Sequence, residues 1–341
     1  MLPSVIRQLD ETGVDLFRLN LSHTPLEHVR SSIEFIQSHT AKPLCLDTDG
    51  AQVRCGLVEG AVEFGQGKSV RLTAAPLVGN ADLLTLRPKA VFDTLQPGTL
   101  VSIDFDGVVL QIKTVHDHVA EAVVVDRGRV TSNRAVSLDP TPELPALTHS
   151  DMEAIGIARE LGIRHFALSF ARRAKDVARL RTLGGKNSYI ISKIETRAGV
   201  RNMDGIIAES DAILVDRGDL SREIPLAHVP MYQKEIIRRA NTATTPALVA
   251  TNLLESMVSN RRPTIAEAND IINTLLDGAH GLVLASETTI GHDPVASVKM
   301  ILEIIRAFEW SRSRRLLKGR TPLGERRRIG EPVSLQGAGG R

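Results

Sequence analysis

Between Tyr189 and Asp219 the chain carries two short apolar runs, Tyr189–Ile194 and Ala212–Val215, each of the length and β-branched content of a buried parallel strand. Each run closes in charge. Lys193 and Glu195 end the first, and Asp216, Arg217 and Asp219 end the second. The stretch between them, Arg197–Met203 and Ile206–Ser210, is helical and then turn-like. That is a βαβ unit with acids and bases at the carboxyl ends of both strands, where parallel α/β proteins place their chemistry. Two carboxylates and an ammonium at one rim suit a divalent cation and an anionic substrate.

The rest of the chain extends this alternation on both sides. Pro3–Thr12 reads as an amphipathic helix stopped by Gly13, Val14–Leu19 as a strand, Pro25 to about Ser38 as a helix and Pro43–Leu46 as a strand. From about Gln52 to about Leu144 the hydrophobic period becomes two, with turns at Gly65-Gln-Gly67, Gln96-Pro-Gly98 and Asp106-Gly107. These short strands predict a small β-barrel or sandwich inserted in an α/β domain. After Pro145 the helix–strand alternation resumes: Ser150–Leu161, Ile163–Phe170, Ala174–Leu183, the two strands above, Val229–Asn241, Ala247–Thr251, Thr264–Leu276, Gly281–Ala285 and Pro294–Arg312.

The 341 residues can bury a large core in two domains, and with few aromatics that core must be aliphatic. Two cysteines, Cys45 and Cys55, argue against a disulfide framework and for a reducing, cytoplasmic setting. No run approaches the ~18 apolar residues of a membrane span, and the N-terminus lacks the apolar centre of a signal peptide. The basic tail from Arg312 reads as solvated and disordered, and without interleaved aromatics it argues against nucleic acid as a partner.

Seven segments in order carry a resemblance. They are Phe17–His23, Leu46–Gly50 with Arg54, Leu144–Leu147, Ile191–Glu195, Arg217–Leu220, Ala250–Ser256 and Arg262–Glu267. Together, over about Ser4 to Glu309, the sequence resembles the pyruvate kinase family. The resemblance implies an α/β fold, a TIM (β/α)8-type barrel formed by residues 1–54 and 145–311, with an inserted small β-barrel lid at 55–144 and a tail at 312–341. It implies a cytoplasmic, Mg2+- or Mn2+-dependent phosphoryl transfer between phosphoenolpyruvate and a nucleoside diphosphate, giving pyruvate and the triphosphate. It leaves a homo-oligomer open.

Carried over position by position, the resemblance makes Glu195 and Asp219 the divalent-metal ligands. Lys193 would neutralise charge on the transferring phosphoryl group, and Arg18 and Arg54 would hold its oxygens. The amides of Gly218 and Asp219 would cradle the substrate carboxylate, and Thr251 would deliver a proton to the enolate carbon. His23, Arg54 and Arg134 would meet the nucleotide. Asn20, Ser22, Asp47 and Thr48 would hold K+.

The sequence also departs from the family. It starts at the family's first barrel helix, so the strand preceding that helix is not in it, and it ends one helix after the eighth strand, without the C-terminal regulatory domain. Asp49 replaces a lysine, and Gln52 replaces a glutamate tied to K+ use. Ala285 to Thr288 replaces Ser-Gly-Glu-Thr, and Ile290 replaces a nucleotide-side lysine. Ser132-Asn133-Arg134 stands where a lysine pair meets ADP. Asp216 replaces a small residue. A unit charge at ~4 Å is worth about 4 kcal/mol at an effective dielectric of about 20, so Asp216 opposes a substrate carboxylate unless a metal or Arg217 neutralises it. At least two cations on the nucleotide side are thus lost and an anion is added near the carboxylate pocket, which keeps two alternatives in view: nucleotide-independent enolate chemistry on a 2-oxo acid, of aldolase or decarboxylase type, or a non-catalytic 2-oxo-acid-binding paralogue.

Overall fold

A computed structural model describes residues 2–50, 52–104, 107–140, 142 and 144–314. Nearly all of the tail that the sequence marks as basic and disordered lies outside the described residues. The chain begins α1 (Pro3–Thr12), β1 (Phe17–Asn20), α2 (Leu26–Gln37), β2 (Leu44–Asp47). Nine strands follow: β3 (Arg54–Cys55), β4 (Val62–Phe64), β5 (Ser69–Thr73), β6 (Leu83–Arg87), β7 (Leu100–Ile103), β8 (Val108–His116), β9 (Val119–Asp126), β10 (Gly128–Val130) and β11 (Val136–Asp139). Alternation then returns with α3 (His149–Glu160), β12 (His165–Leu168), α4 (Ala174–Gly184), β13 (Tyr189–Lys193), α5 (Arg197–Arg201), α6 (Met203–Glu209), β14 (Ala212–Asp216) and α7 (Arg217–Glu223). The described chain closes with α8 (Val229–Thr242), β15 (Ala247–Ala250), α9 (Ile265–Leu276), β16 (Gly281–Val283), α10 (Ser286–Thr289) and α11 (Pro294–Ser313).

Two compact units result. One is made of the segments up to Thr48, Ser150–Gly218 and Ala227 onward, and the other is built on Asp49–His149 with Asp219–Leu226. In the first, seven parallel strands curl in the order β1-β2-β12-β13-β14-β15-β16. Every residue of β2, β14 and β15 is buried, as strands covered on both faces must be. Helices α1 and α11, the first and last of this unit among the described residues, pack against each other.

The inward face of this sheet is small and apolar: Cys45, Ala167, Ile191, Ala212, Leu214, Leu248 and Ala250 cluster, with Leu16 and Val283 against them. Side chains alternate along a strand with period two, so the inward positions one step beyond Leu16, Cys45, Ala167, Ile191 and Leu214 are Arg18, Asp47, Ser169, Lys193 and Asp216. The barrel interior therefore changes from apolar to charged within one step, at the carboxyl ends of the strands.

The described strands of the second unit pair antiparallel except β5 with β6, and an isolated parallel bridge joins Val58 to Gly79. Its main sheet runs β11-β7-β8-β9-β5-β6-β3, and β4 pairs separately with β10. Arg54 bridges to Ala135, and Val136 N donates to Val53 O at 2.8 Å, so the two outer strands of the sheet approach and nearly close it into a barrel. Alternate inward residues, Val101 and Ile103 on β7, Val108, Leu110 and Ile112 on β8, and Ala120, Ala122 and Val124 on β9, fill a core of its own. Among the described residues, no helix is long and apolar enough to cross a membrane.

Candidate active site

The charged layer forms one continuous chain of contacts that follows the strand order. Arg18 Nη1 on β1 lies 3.4 Å from Asp47 Oδ2 at the end of β2. Asp47 Oδ1 accepts from Ser169 Oγ just after β12 at 3.2 Å. Lys193 Nζ, the last residue of β13, donates to that same Ser169 Oγ at 3.3 Å. The ammonium also lies 3.9 Å from Asp47, 3.2 Å from Glu195 Oε2 and 3.4 Å from Asp216 Oδ2. Thr251 Oγ1, beyond β15, lies 3.2 Å from Asp216 Oδ1. Lys193 is 5% exposed and Glu195 1%.

Two backbone features hold this arrangement. Phe170 and Thr251 both take left-handed conformations, with φ of 53° and 69°. For a β-branched residue such as Thr251 that is a real steric outlier, and it persists only where the surroundings over-determine it. Here Gly218 N donates to Thr251 Oγ1 at 2.9 Å, and Arg217 Nε and Nη2 donate to Thr251 O at 3.0 and 2.6 Å. Arg217 also binds Asn252 O and Asp270. The turn at Phe170 aims its amide at Glu195 Oε1, at 2.7 Å.

Arg217 thus fastens the loop after β15, while Asp216 is neutralised from elsewhere. Burial alone would raise the Asp216 carboxyl. Lys193 and Arg18 outweigh it, helped by the Thr251 hydroxyl, and hold it below the usual carboxylate range. Arg18 is pulled the other way from what its burial favours: Asp47 and Asp216 keep its guanidinium charged and raise its pKa.

One carboxylate oxygen from each of Glu195, Asp216 and Asp219 falls within 4.8 Å of the others. Hard oxygen donors at that spacing fit Mg2+ or Mn2+. The electrostatics fit as well, because Arg18 and Lys193 leave the acids of this layer undercompensated. Asp219 is set by the first turn of α7, which leaves β14 without an intervening loop, and it also pairs with Arg222 at 2.9 Å.

The remaining sequence-derived positions are placed as follows. Asn20 Oδ1 caps the turn Leu21–His23 through Ser22 N at 2.9 Å, and His23 is exposed on that turn. Thr48 Oγ1 accepts from Ser169 N at 3.0 Å, so Asp47 and Thr48 both engage Ser169 while Asn20 pairs in register with Asp47. The Gly218 amide is already occupied by Thr251. In the inserted unit, Arg54 Nη1 donates to Asn133 O at 3.2 Å, and Arg134 Nη1 lies 3.2 Å from Asp104. Burial lowers the Arg54 pKa, with Arg222 and Arg87 adding to that and Asp49 and Asp219 opposing it. Ser169 was not singled out in the sequence, and Asp216 only as a charge that ends the second run and as a departure, with no site role. Counting two residues on from the inward apolar position of each strand finds both.

The pyruvate kinase barrel-domain family matches residues 3–298. The chain belongs to the pyruvate kinase family. Among similar proteins, the pyruvate kinase of Mycobacterium tuberculosis strain H37Rv is 34% identical over 315 residues, covering 89% of this chain and 67% of that protein. The pyruvate kinase of Thermotoga maritima is 33% identical over 316 residues, 89% of this chain and 68% of its own. That of Sporosarcina psychrophila is 33% identical over 320 residues, 90% of this chain but 55% of its own. The chain therefore spans about two thirds, or less, of the family members it matches. Its fold is that of the family's barrel domain, and its charged layer lies at the carboxyl ends of the barrel strands.

Proposed function

We propose that the chain catalyses Mg2+-dependent phosphoryl transfer between phosphoenolpyruvate and a nucleoside diphosphate. The observation that carries this is the buried Lys193 ammonium held within 3.9 Å of three carboxylates at the mouth of the barrel. A buried charge network of this kind gains little stability over an apolar core of equal volume, and its presence favours a functional role.

In this reaction the bond from phosphorus to the enol oxygen breaks, the phosphoryl group passes to a terminal oxygen of the diphosphate, and the enolate left behind takes a proton at its methylene carbon. Glu195 and Asp219, with Asp216 beside them, would hold the divalent ion, which would polarise phosphoryl oxygens. Arg18 and Lys193 neutralise the equatorial oxygens as charge moves onto them. Arg54 is a further anchor for phosphate. Thr251, fixed by Asp216 and Gly218, stands at the proton-delivery position and acts through water. Asn20, Ser22, Asp47 and Thr48 are the oxygen set for K+, and His23 and Arg134 the nucleotide contacts. Two buried free thiols agree with a cytoplasmic setting.

A coupled assay of pyruvate formation from phosphoenolpyruvate, Mg2+ and ADP tests this. Turnover should exceed that of Lys193→Met by about 10²–10³-fold, and equal rates for the two proteins would refute it.

One observation favours a second reading. Asp216, absent from the family pattern, touches both Lys193 and Thr251, which suits proton transfer at an enolate without a nucleotide. Deuterium entry into the methyl group of pyruvate without ADP, together with no heat of ADP binding, would select it. Binding of pyruvate with neither exchange nor transfer would select a non-catalytic role.

A further inference from the structure

At the other end of β12 and β13 lies a cleft of about 280 Å³. It is formed by the turns that lead into the two strands, Gly162–Arg164 and Gly184–Ser188, together with Arg159 at the end of α3. The five residues of β13, at about 3.3 Å each, put it roughly 15 Å from Lys193.

Three cations, Arg159, Arg164 and Lys186, line the cleft, and no carboxylate does. Glu160, next to Arg159, pairs with Arg30, and Asp211, just before β14, lies 3.0 Å from Arg181. Two backbone carbonyls here are satisfied from within, since Arg159 Nη1 donates to Leu183 O and Ser188 N to Gly185 O. The charged side chains that line the space are all cations.

The floor supplies an independent observation. Ser188 is 6% exposed, and its hydroxyl has no hydrogen-bond partner among the described residues. A buried unsatisfied hydroxyl carries a desolvation penalty that a ligand acceptor removes. Gly184 lets the backbone approach it closely, because a Cβ there would come within 2.6 Å of Ser188 Oγ and 3.0 Å of the Phe166 ring. Gly162 and Gly185, at φ of 78° and 100°, hold turns that a side chain would strain.

We infer that this cleft is an anion site, separate from the charged layer at the barrel mouth, that binds a phosphate or phosphomonoester group. Arg159, Arg164 and Lys186 surround the anion, and Ser188 donates to one of its oxygens. Guanidinium forks and an ammonium are the groups that phosphate oxygens select, and an opening of this size admits a phosphorylated small molecule.

Calorimetric titration of the full chain with inorganic phosphate, in metal-free buffer of low ionic strength, tests the site. The double variant Arg164→Ala/Lys186→Ala should bind phosphate about tenfold more weakly, and Lys193→Met should retain that binding event. Both substituted side chains are exposed, so the melting temperature should hold. Should it fall, Lys186→Glu alone is the substitute, with the same expected loss. Ser188→Ala should weaken binding about threefold without lowering the melting temperature of the unliganded protein. Binding that stays within about twofold of the parent in the double variant, or that disappears in Lys193→Met, would overturn the inference.

Discussion

Lys193 concentrates the chemistry and part of the stability in one side chain. Replacing it with Met leaves Asp47, Glu195 and Asp216 buried around a neutral group. The loss of one partner from a buried charge set costs about 3–5 kcal/mol. Lys193→Met should therefore melt well below the parent in metal-free buffer, and Mg2+ should restore more stability to it than to the parent, read by thermal denaturation with and without the ion. The thiols give a second prediction at this scale. Burial pushes Cys45 up, with Asp47 adding to the shift, and burial also raises Cys55. Neither should react with a disulfide reagent at pH 8 until denaturant is added. Lys193 and Glu195 were legible from sequence because they end an apolar run. The place of Ser169 was not, since it depends on which face of its strand points inward. Of the two groups named to neutralise Asp216, a metal or Arg217, the Arg217 guanidinium is taken up by the carbonyls of Thr251 and Asn252 and by Asp270, a contact that forms only once α9 packs.

Helix α9 shows what a local pattern can specify. Thr264 and Glu267 form a reciprocal cap: Thr264 Oγ1 accepts from Glu267 N at 3.2 Å, and Glu267 Oε2 accepts from Thr264 N at 2.7 Å. Glu267 also accepts from Ser256 N at 2.7 Å and from the Ser256 hydroxyl, which ties the loop after β15 to the helix. Burial would raise this carboxyl, but the bonds from Ser256 and Thr264 outweigh it and hold it below its ordinary value. The folded state therefore favours the ionised form. The contribution is whole above the unfolded value of about 4.3 and is lost as pH falls through the depressed folded value. Glu267→Ala should cost about 1 kcal/mol at pH 7, and the gap in melting temperature should narrow in acid. The sequence reading starts this helix at Thr264, one residue before the Ile265 of the structure. Strand β1 was placed early, at Val14–Leu19 against Phe17–Asn20, because its apolar run begins before its ladder does. The left-handed Thr251 was not foreseeable, since β-branched residues are the last expected there.

For the whole molecule, the two units have separate cores, and Leu110 belongs only to that of the insertion. Leu110→Ala should destabilise by about 2–5 kcal/mol, with amide exchange rising in β5–β9 before it rises in β12–β15. The switch from α/β alternation to period two was plain in the sequence; the near-closure of the insertion through Arg54 and Ala135 was not, because it joins residues far apart in the chain. The same insertion governs the order of assembly. β2 pairs with β12, and the contact that caps this pairing, between Asp47 and Ser169, spans 122 positions of chain. At synthesis rates of 5–20 residues per second, β2 waits roughly 6–24 s for its neighbour to leave the ribosome, while the strands of the insertion emerge together and can fold first. A nascent chain would thus hold a finished β-unit beside an apolar β2 with an unpaired edge, the interval in which a chaperone has most to cover.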